Sequence, residues 1–169
     1  VFDWDNTVIK NDIGDGTMFW MLRNDGVRQP AGGDWSTTSR WMTDEAAAAL
    51  RAACGDAPPG TPLPTSEDLA CADEILTVYH DGKTTTGRPA WIQDGYDHRA
   101  MKPQYAWAAQ LHAGASPDEV RAMVTRARDE YLAARIGSTI AVGSHEGLAG
   151  YIRVYEPIRQ TPVVRVQFF

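Results

Sequence analysis

Two aspartates near the start of the chain, Asp3 and Asp5, have the types and spacing that most clearly suggest chemistry. They directly follow the apolar residues Val1 and Phe2, which is typical of a buried strand that runs into an acidic loop. In α/β sheets, binding sites lie at such strand ends. Because two close carboxylates repel each other, we expect a cation between them. A hard ion such as Mg²⁺ fits carboxylate oxygens and also suits a phosphate ligand.

Two alternatives exist for this acidic run. A bare Asp-x-Asp pair can be an acidic turn with solvated charges, and the spacing alone leaves that interpretation open. An EF-hand calcium loop is excluded, because Val8 occupies the position at which that loop requires glycine.

The whole run of residues 1–7, Val-Phe-Asp-Trp-Asp-Asn-Thr, resembles the first motif of the haloacid dehalogenase-like (HAD) hydrolases. The resemblance implies that Asp3 is the nucleophile that attacks phosphorus. It also implies that Asp5 protonates the leaving oxygen and then activates water. Asp3 and Asp5 would bind Mg²⁺, and Thr7 would contact the phosphate. An acid at position 5 favours a phosphatase or phosphotransferase over a dehalogenase, which has no leaving oxygen to protonate.

Three further segments are similar to the N-terminal part and cap of secreted bacterial HAD phosphatases of the phosphorylcholine phosphatase type. They are residues 34–36 (Asp-Trp-Ser), 81–87 (Asp-Gly-Lys-Thr-Thr-Thr-Gly) and 155–159 (Tyr-Glu-Pro-Ile-Arg). This similarity implies a small phosphorylated substrate, with choline as one candidate head group. Trp20 and Trp35 would then contribute to an aromatic cage for a quaternary ammonium group, because cation–π contact suits such a group. The alternative for these aromatic residues is packing in the core.

Helix signals dominate the middle of the chain. Residues 6–17 are rich in Asn, Asp and Gly and predict a loop or flap. Capping residues, prolines at first helical positions and apolar periodicity predict the helices. The predicted helices cover residues 18–22, 44–53 after Thr43, a stretch that ends at about Tyr79 after a capping box at 65–68, a stretch from Pro103 to before Gly114, and a stretch after the capping box Ser116–Glu119. Short strands are predicted at 138–142 and 151–155.

This order of elements predicts an α/β fold, with an incomplete HAD-like Rossmannoid core and a large, mostly helical cap inserted after the first strand. Residues 1–13 would form the first core strand and catalytic loop. Residues 14–137 would form the helical cap, and residues 138–169 would return to a truncated core.

The later motifs of the HAD family do not follow in this sequence. The family needs a Ser or Thr after a second core strand, a distant Lys and a late acidic pair. We therefore expect a fragment of a Mg²⁺-dependent phosphomonoester hydrolase. One alternative is a non-catalytic remnant or binding protein that uses the aromatic cap. Another is a phosphotransferase of the same superfamily, which shares the first motif and differs in its acceptor.

The composition limits the classes of binding partner that we expect. The chain has 169 residues, with 16 Lys and Arg against 22 Asp and Glu, a net charge of −6 that disfavours nucleic acid. No apolar run is long enough for a membrane span. The two cysteines, Cys54 and Cys71, lack the CxxC spacing of a zinc site. They would form either a disulfide or two buried thiols, and a disulfide would place the protein in an oxidising compartment. We expect a secreted or periplasmic protein.

Overall fold

The computed structural model describes residues 9–93, 95, 102–135, 138–148 and 153–154. These residues form a mixed helix and strand structure that is mostly helical and compatible with the α/β class. The five helices of this part of the chain are α1 (Ile13–Arg23), α2 (Asp44–Cys54), α3 (Leu69–His80), α4 (Pro103–Gln110) and α5 (Pro117–Ala133). The strands are β1 (Ile9–Lys10), β2 (Thr139–Val142), β3 (His145–Leu148) and β4 (Arg153–Val154). Two short 3-10 helices cover Ala31–Gly33 and Trp35–Thr38.

The predicted caps of α2 and α5 are confirmed. Thr43 caps α2, since its hydroxyl accepts a hydrogen bond from the amide of Ala46 at 3.2 Å. Ser116 and Glu119 form the predicted capping box of α5, with the Ser116 amide donating to the Glu119 carboxylate at 2.7 Å. Each cap satisfies amides that the first helical turn leaves without a partner.

The predicted start of α1 and the predicted cap of α3 are wrong. Helix α1 begins at Ile13, within the stretch predicted as a loop, because Asp12 caps it by accepting the Gly14 amide at 2.6 Å. At α3 the cap is Asp68, which accepts the Cys71 amide at 3.2 Å, rather than Thr65. The Thr65 side chain is instead buried. In both places an aspartate next to the apolar run caps the helix.

Three tryptophans form the centre of the core. The ring of Trp107 lies 6.3 Å from that of Trp35 and 5.6 Å from that of Trp91, measured between centroids. The indole of Trp107 donates to the Thr38 hydroxyl at 2.8 Å, and that of Trp91 donates to the Val78 carbonyl at 3.1 Å. These bonds satisfy two indole N–H groups within an apolar cluster.

A disulfide joins the end of α2 to the first turns of α3. The Cys54 and Cys71 sulfurs are 2.08 Å apart, so the disulfide interpretation of these cysteines is confirmed. It closes the proline-rich loop between the two helices, which pack directly against each other.

Two antiparallel strand pairs are present among the described residues. Strand β2 is confirmed, and β3, which the sequence did not predict, pairs with it. Strand β1 pairs with β4, with Ile9 opposite Val154. This second pair brings together the two ends of the described chain. The predicted strand 151–155 is found at Arg153–Val154, and its other residues lie outside the described ranges.

None of the helices in the described ranges is long and apolar enough to cross a membrane.

Candidate active site

The predicted catalytic residues Asp3, Asp5 and Thr7 lie outside the residues that the structure describes. Their roles as nucleophile, general acid and base, Mg²⁺ ligands and phosphate contact stay predictions. The predicted Mg²⁺ donors are carboxylate oxygens, which match the preference of a hard cation. In the described ranges, no group of three or more His, Cys, Asp or Glu side chains is arranged to hold a metal.

The described residues begin at Ile9, two positions after Thr7. Several other parts of the molecule contact these first described residues. Strand β1 pairs with β4. Asn11 then adopts a left-handed backbone with φ of 68°, a conformation that asparagine tolerates better than most residues. This turn leads into Asp12, which caps α1 five positions after Thr7.

Two tyrosines from other helices contact the first turn of α1. The Tyr79 hydroxyl, on α3, donates a hydrogen bond to the Asp15 carboxylate. The Tyr105 hydroxyl, on α4, donates to the second carboxylate oxygen of Asp12 at 3.0 Å. Asp12 therefore accepts hydrogen bonds both from its own helix and from α4. We call the four residues Asp12, Asp15, Tyr79 and Tyr105 the α1 anchor.

Burial is the main reason that the pKa of Tyr79 is raised well above its usual range. The hydrogen bond to Asp15 and the negative charge of that carboxylate raise it further, followed by the charge of Asp12. The phenol is therefore a neutral donor throughout the physiological pH range.

Both tryptophans predicted for ligand binding are buried in the described structure. Trp20 is 8% exposed and Trp35 is 1% exposed, and Trp35 packs on Trp107 in the core. The indole N–H of Trp35 is buried without a hydrogen-bond partner. In this conformation neither ring offers an open face to a ligand, so a cage role would require them to become exposed. That role stays a prediction.

Asp34 and Ser36 border a shallow groove of about 460 Å³ along α2. Arg51 is the cation among the described residues that line this groove, and it donates to the Gly33 carbonyl at 3.0 and 3.3 Å. Asp34 caps the second 3-10 helix, and hydrogen bonds from the Ser36 hydroxyl and amide lower the pKa of its carboxyl. The side chains of Asp34, Ser36 and Arg51 are thus engaged in local structure.

A buried carboxylate fixes the loop at residues 81–87. Glu74, which is 3% exposed, accepts hydrogen bonds from the Thr85 amide at 3.2 and 3.3 Å and from the Thr85 hydroxyl at 2.5 Å. This residue was not predicted from the sequence. The pattern that indicates it is a glutamate within the apolar face of α3, close to Ile75 and Val78, which are fully buried.

The sequence analysis also missed the α1 anchor. Asp15 and Tyr79 are 64 positions apart, and Asp12 and Tyr105 are 93 positions apart. Only the capping role of Asp12 leaves a local pattern, an aspartate before an apolar residue.

No family model, curated protein or solved structure matches this chain.

Proposed function

We propose that the protein is a Mg²⁺-dependent phosphomonoester hydrolase that acts through an aspartyl-phosphate on Asp3. The observation that carries this proposal is the apolar-apolar-Asp-x-Asp-x-Thr run at residues 1–7. Its spacing supplies a nucleophile and a second carboxyl group two residues away, which are the groups that a two-step phosphoryl transfer needs.

The two steps use the two aspartates in turn. A carboxylate oxygen of Asp3 forms a bond to phosphorus, the ester P–O bond breaks, and Asp5 donates its proton to the leaving oxygen. Water then attacks the phosphorus of the acyl phosphate, Asp5 accepts a proton from that water, and Asp3 leaves as a carboxylate. Thr7 contributes its hydroxyl to the phosphate oxygens. Bound Mg²⁺ would neutralise part of the negative charge on the transferred group.

The pairing of β1 with β4 supports an inserted helical cap. Helices α1 to α5 lie between these two strands in the sequence, and the strands are direct neighbours in space. The chain must leave the core and return to it at one place to form an inserted cap. An antiparallel strand pair at the base of the cap brings these two connections side by side. We therefore propose that α1 to α5 belong to a cap on a HAD-like Rossmannoid core, which would close over the substrate.

The disulfide between Cys54 and Cys71 supports an oxidising compartment, since such bonds persist mainly in secreted and periplasmic proteins. We propose a secreted or periplasmic phosphatase with a small phosphorylated substrate. Choline remains one candidate head group on the basis of the resemblance described above.

The test is Mg²⁺-dependent hydrolysis of p-nitrophenyl phosphate by the protein expressed from its complete gene. We expect Asp3→Asn to abolish turnover, because the amide is a poor nucleophile. Asp129→Asn is the matched control, since this carboxylate is exposed on α5 and, within the part of the chain that the structure describes, pairs with its neighbour Arg128. Retained turnover in Asp3→Asn would overturn the assignment of the nucleophile. Equal loss in both variants would point to a general effect on stability.

A further inference from the structure

Residues 9–15, the segment that directly follows the proposed catalytic motif, are held by three distant parts of the chain. Strand β4 pairs with Ile9 and Lys10. Helix α4 contributes the Tyr105 hydroxyl to Asp12, and α3 contributes the Tyr79 hydroxyl to Asp15. Three anchors within seven residues are more than the capping of an 11-residue helix requires, since Asp12 alone provides the cap.

Of the two tyrosines that contact the start of α1, Tyr79 is the more tightly packed. It is 5% exposed, and it lies near the end of α3, whose first turn is tied to α2 by the disulfide at Cys71. Helix α3 also packs against α2 and α4. The phenol thus lies in a well-packed part of the helical body, and its part-buried hydrogen bond to a carboxylate is stronger than one between neutral groups.

Tyr105 is a weaker anchor. Its side chain is 44% exposed, so its hydrogen bond to Asp12 competes with water. It acts at the N-cap itself, whereas Tyr79 acts at the third residue of α1. Together the two phenols set both the position of the helix start and its rotation.

We propose that Tyr79 is a positioning residue for the phosphoryl-transfer reaction. Through Asp15 it fixes the start of α1, and the start of α1 limits where the loop that carries Asp3 and Asp5 can lie. This inference rests on the proposed function. It assigns no contact between Tyr79 and the substrate.

The experiment compares Tyr79→Phe with Tyr131→Phe in the protein expressed from its complete gene. Both changes remove one hydroxyl from a buried tyrosine whose pKa is raised chiefly by burial. Tyr131 lies near Arg23 at the opposite end of α1, about 15 Å away along the helix axis. It therefore controls for the loss of a buried phenol that does not contact the start of α1.

We expect Tyr79→Phe to lower kcat for p-nitrophenyl phosphate by about 10- to 100-fold, because a displacement of about 1 Å at reacting atoms has effects of this size. KM should change less than kcat, since the substrate contacts remain. Tyr131→Phe should leave both constants within about twofold of the wild type. Asp15→Asn, which keeps an acceptor oxygen for Tyr79, should retain more activity than Asp15→Ala.

Hydrogen exchange of the amides in the first two turns of α1 gives a readout that does not need activity. We expect faster exchange there in Tyr79→Phe and not in Tyr131→Phe. An active enzyme whose kcat is unaffected by Tyr79→Phe, or falls equally in both variants, would overturn the positioning role alone. A wild type without turnover would instead refute the proposed function, and with it any positioning role in that reaction.

Discussion

Trp35 shows how much the role of a single residue depends on its surroundings. The sequence places this tryptophan directly after Asp34, where a ligand cage and a core position are both compatible with its type. The structure buries its ring against Trp107. Aromatic residues bury large apolar areas and dominate core energetics, so the first effect of changing Trp35 should be on stability.

We expect Trp35→Ala to lower the free energy of unfolding by about 3–5 kcal/mol, since it empties a large buried volume. Urea denaturation followed by circular dichroism measures this loss. Ile92→Ala is the control, because that side chain is 40% exposed and its removal leaves no cavity. A loss in Trp35→Ala no larger than in Ile92→Ala would contradict the core position. A substrate test on Trp35 therefore needs the milder Trp35→Phe.

The residues near the proposed site differ in how far the sequence reveals them. The motif around Asp3 and Asp5 is readable because its groups are two positions apart. The contact between Asp15 and Tyr79 is not readable, because 64 positions separate them and neither residue type is unusual where it stands. Long-range contacts are fixed by tertiary packing, which a single sequence does not encode in any local pattern.

At the scale of elements, local chemistry decided which predictions were confirmed. Helices α2 and α5 carry Thr43 and Ser116 at their starts, and the expected amides donate to both. The start of helix α1 was predicted wrongly because Gly14 and Gly16 lower the intrinsic helix propensity of its first turns. Tertiary contacts through Thr17, Met18 and the rest of its buried face stabilise it instead.

Strand β3 was missed for a different reason. It begins after a tight turn in which Gly143 has φ of 61° and the Ser144 amide donates to Asp73 at 2.7 Å. A Cβ atom on Gly143 would lie 2.1 Å from that carboxylate. The turn therefore depends on a glycine that fits against α3, and this fit cannot be inferred from the turn residues alone.

The disulfide gives the clearest prediction at this scale. Replacing both Cys54 and Cys71 with alanine should lower the free energy of unfolding by about 3 kcal/mol, because the open loop gains entropy in the unfolded chain. Urea denaturation with and without a reducing agent measures it. The reducing agent should destabilise the wild type and leave the double variant unchanged. Equal stability of the wild type and the double variant without reductant would contradict a bond between these sulfurs.

At the scale of the whole molecule, the pairing of β1 with β4 is the feature with the most consequence for function. The paired residues Ile9 and Val154 are far apart in the sequence, and the helices lie between them. The sequence predicted a helical insertion from the order of its elements. It did not predict which residues close the base of that insertion, because strand register depends on neighbours that are distant in the chain.

The net charge of −6 and the disulfide are two further properties that bear on the function of the whole molecule. A net negative charge disfavours binding to the phosphate backbone of nucleic acids. The disulfide is consistent with a compartment outside the cytoplasm. The disulfide fits the proposed secreted or periplasmic protein and does not depend on the catalytic motif.

The central claim is a covalent phosphoryl group on Asp3, and trapping that intermediate tests it most directly. The protein expressed from its complete gene is mixed with Mg²⁺ and p-nitrophenyl phosphate, quenched in acid and treated with borohydride, which reduces an acyl phosphate to the alcohol. Peptide mass analysis should then find homoserine at position 3, and Asp3→Asn should give none. Steady release of phosphate with an unmodified Asp3, or a label on another residue, would contradict the proposed mechanism.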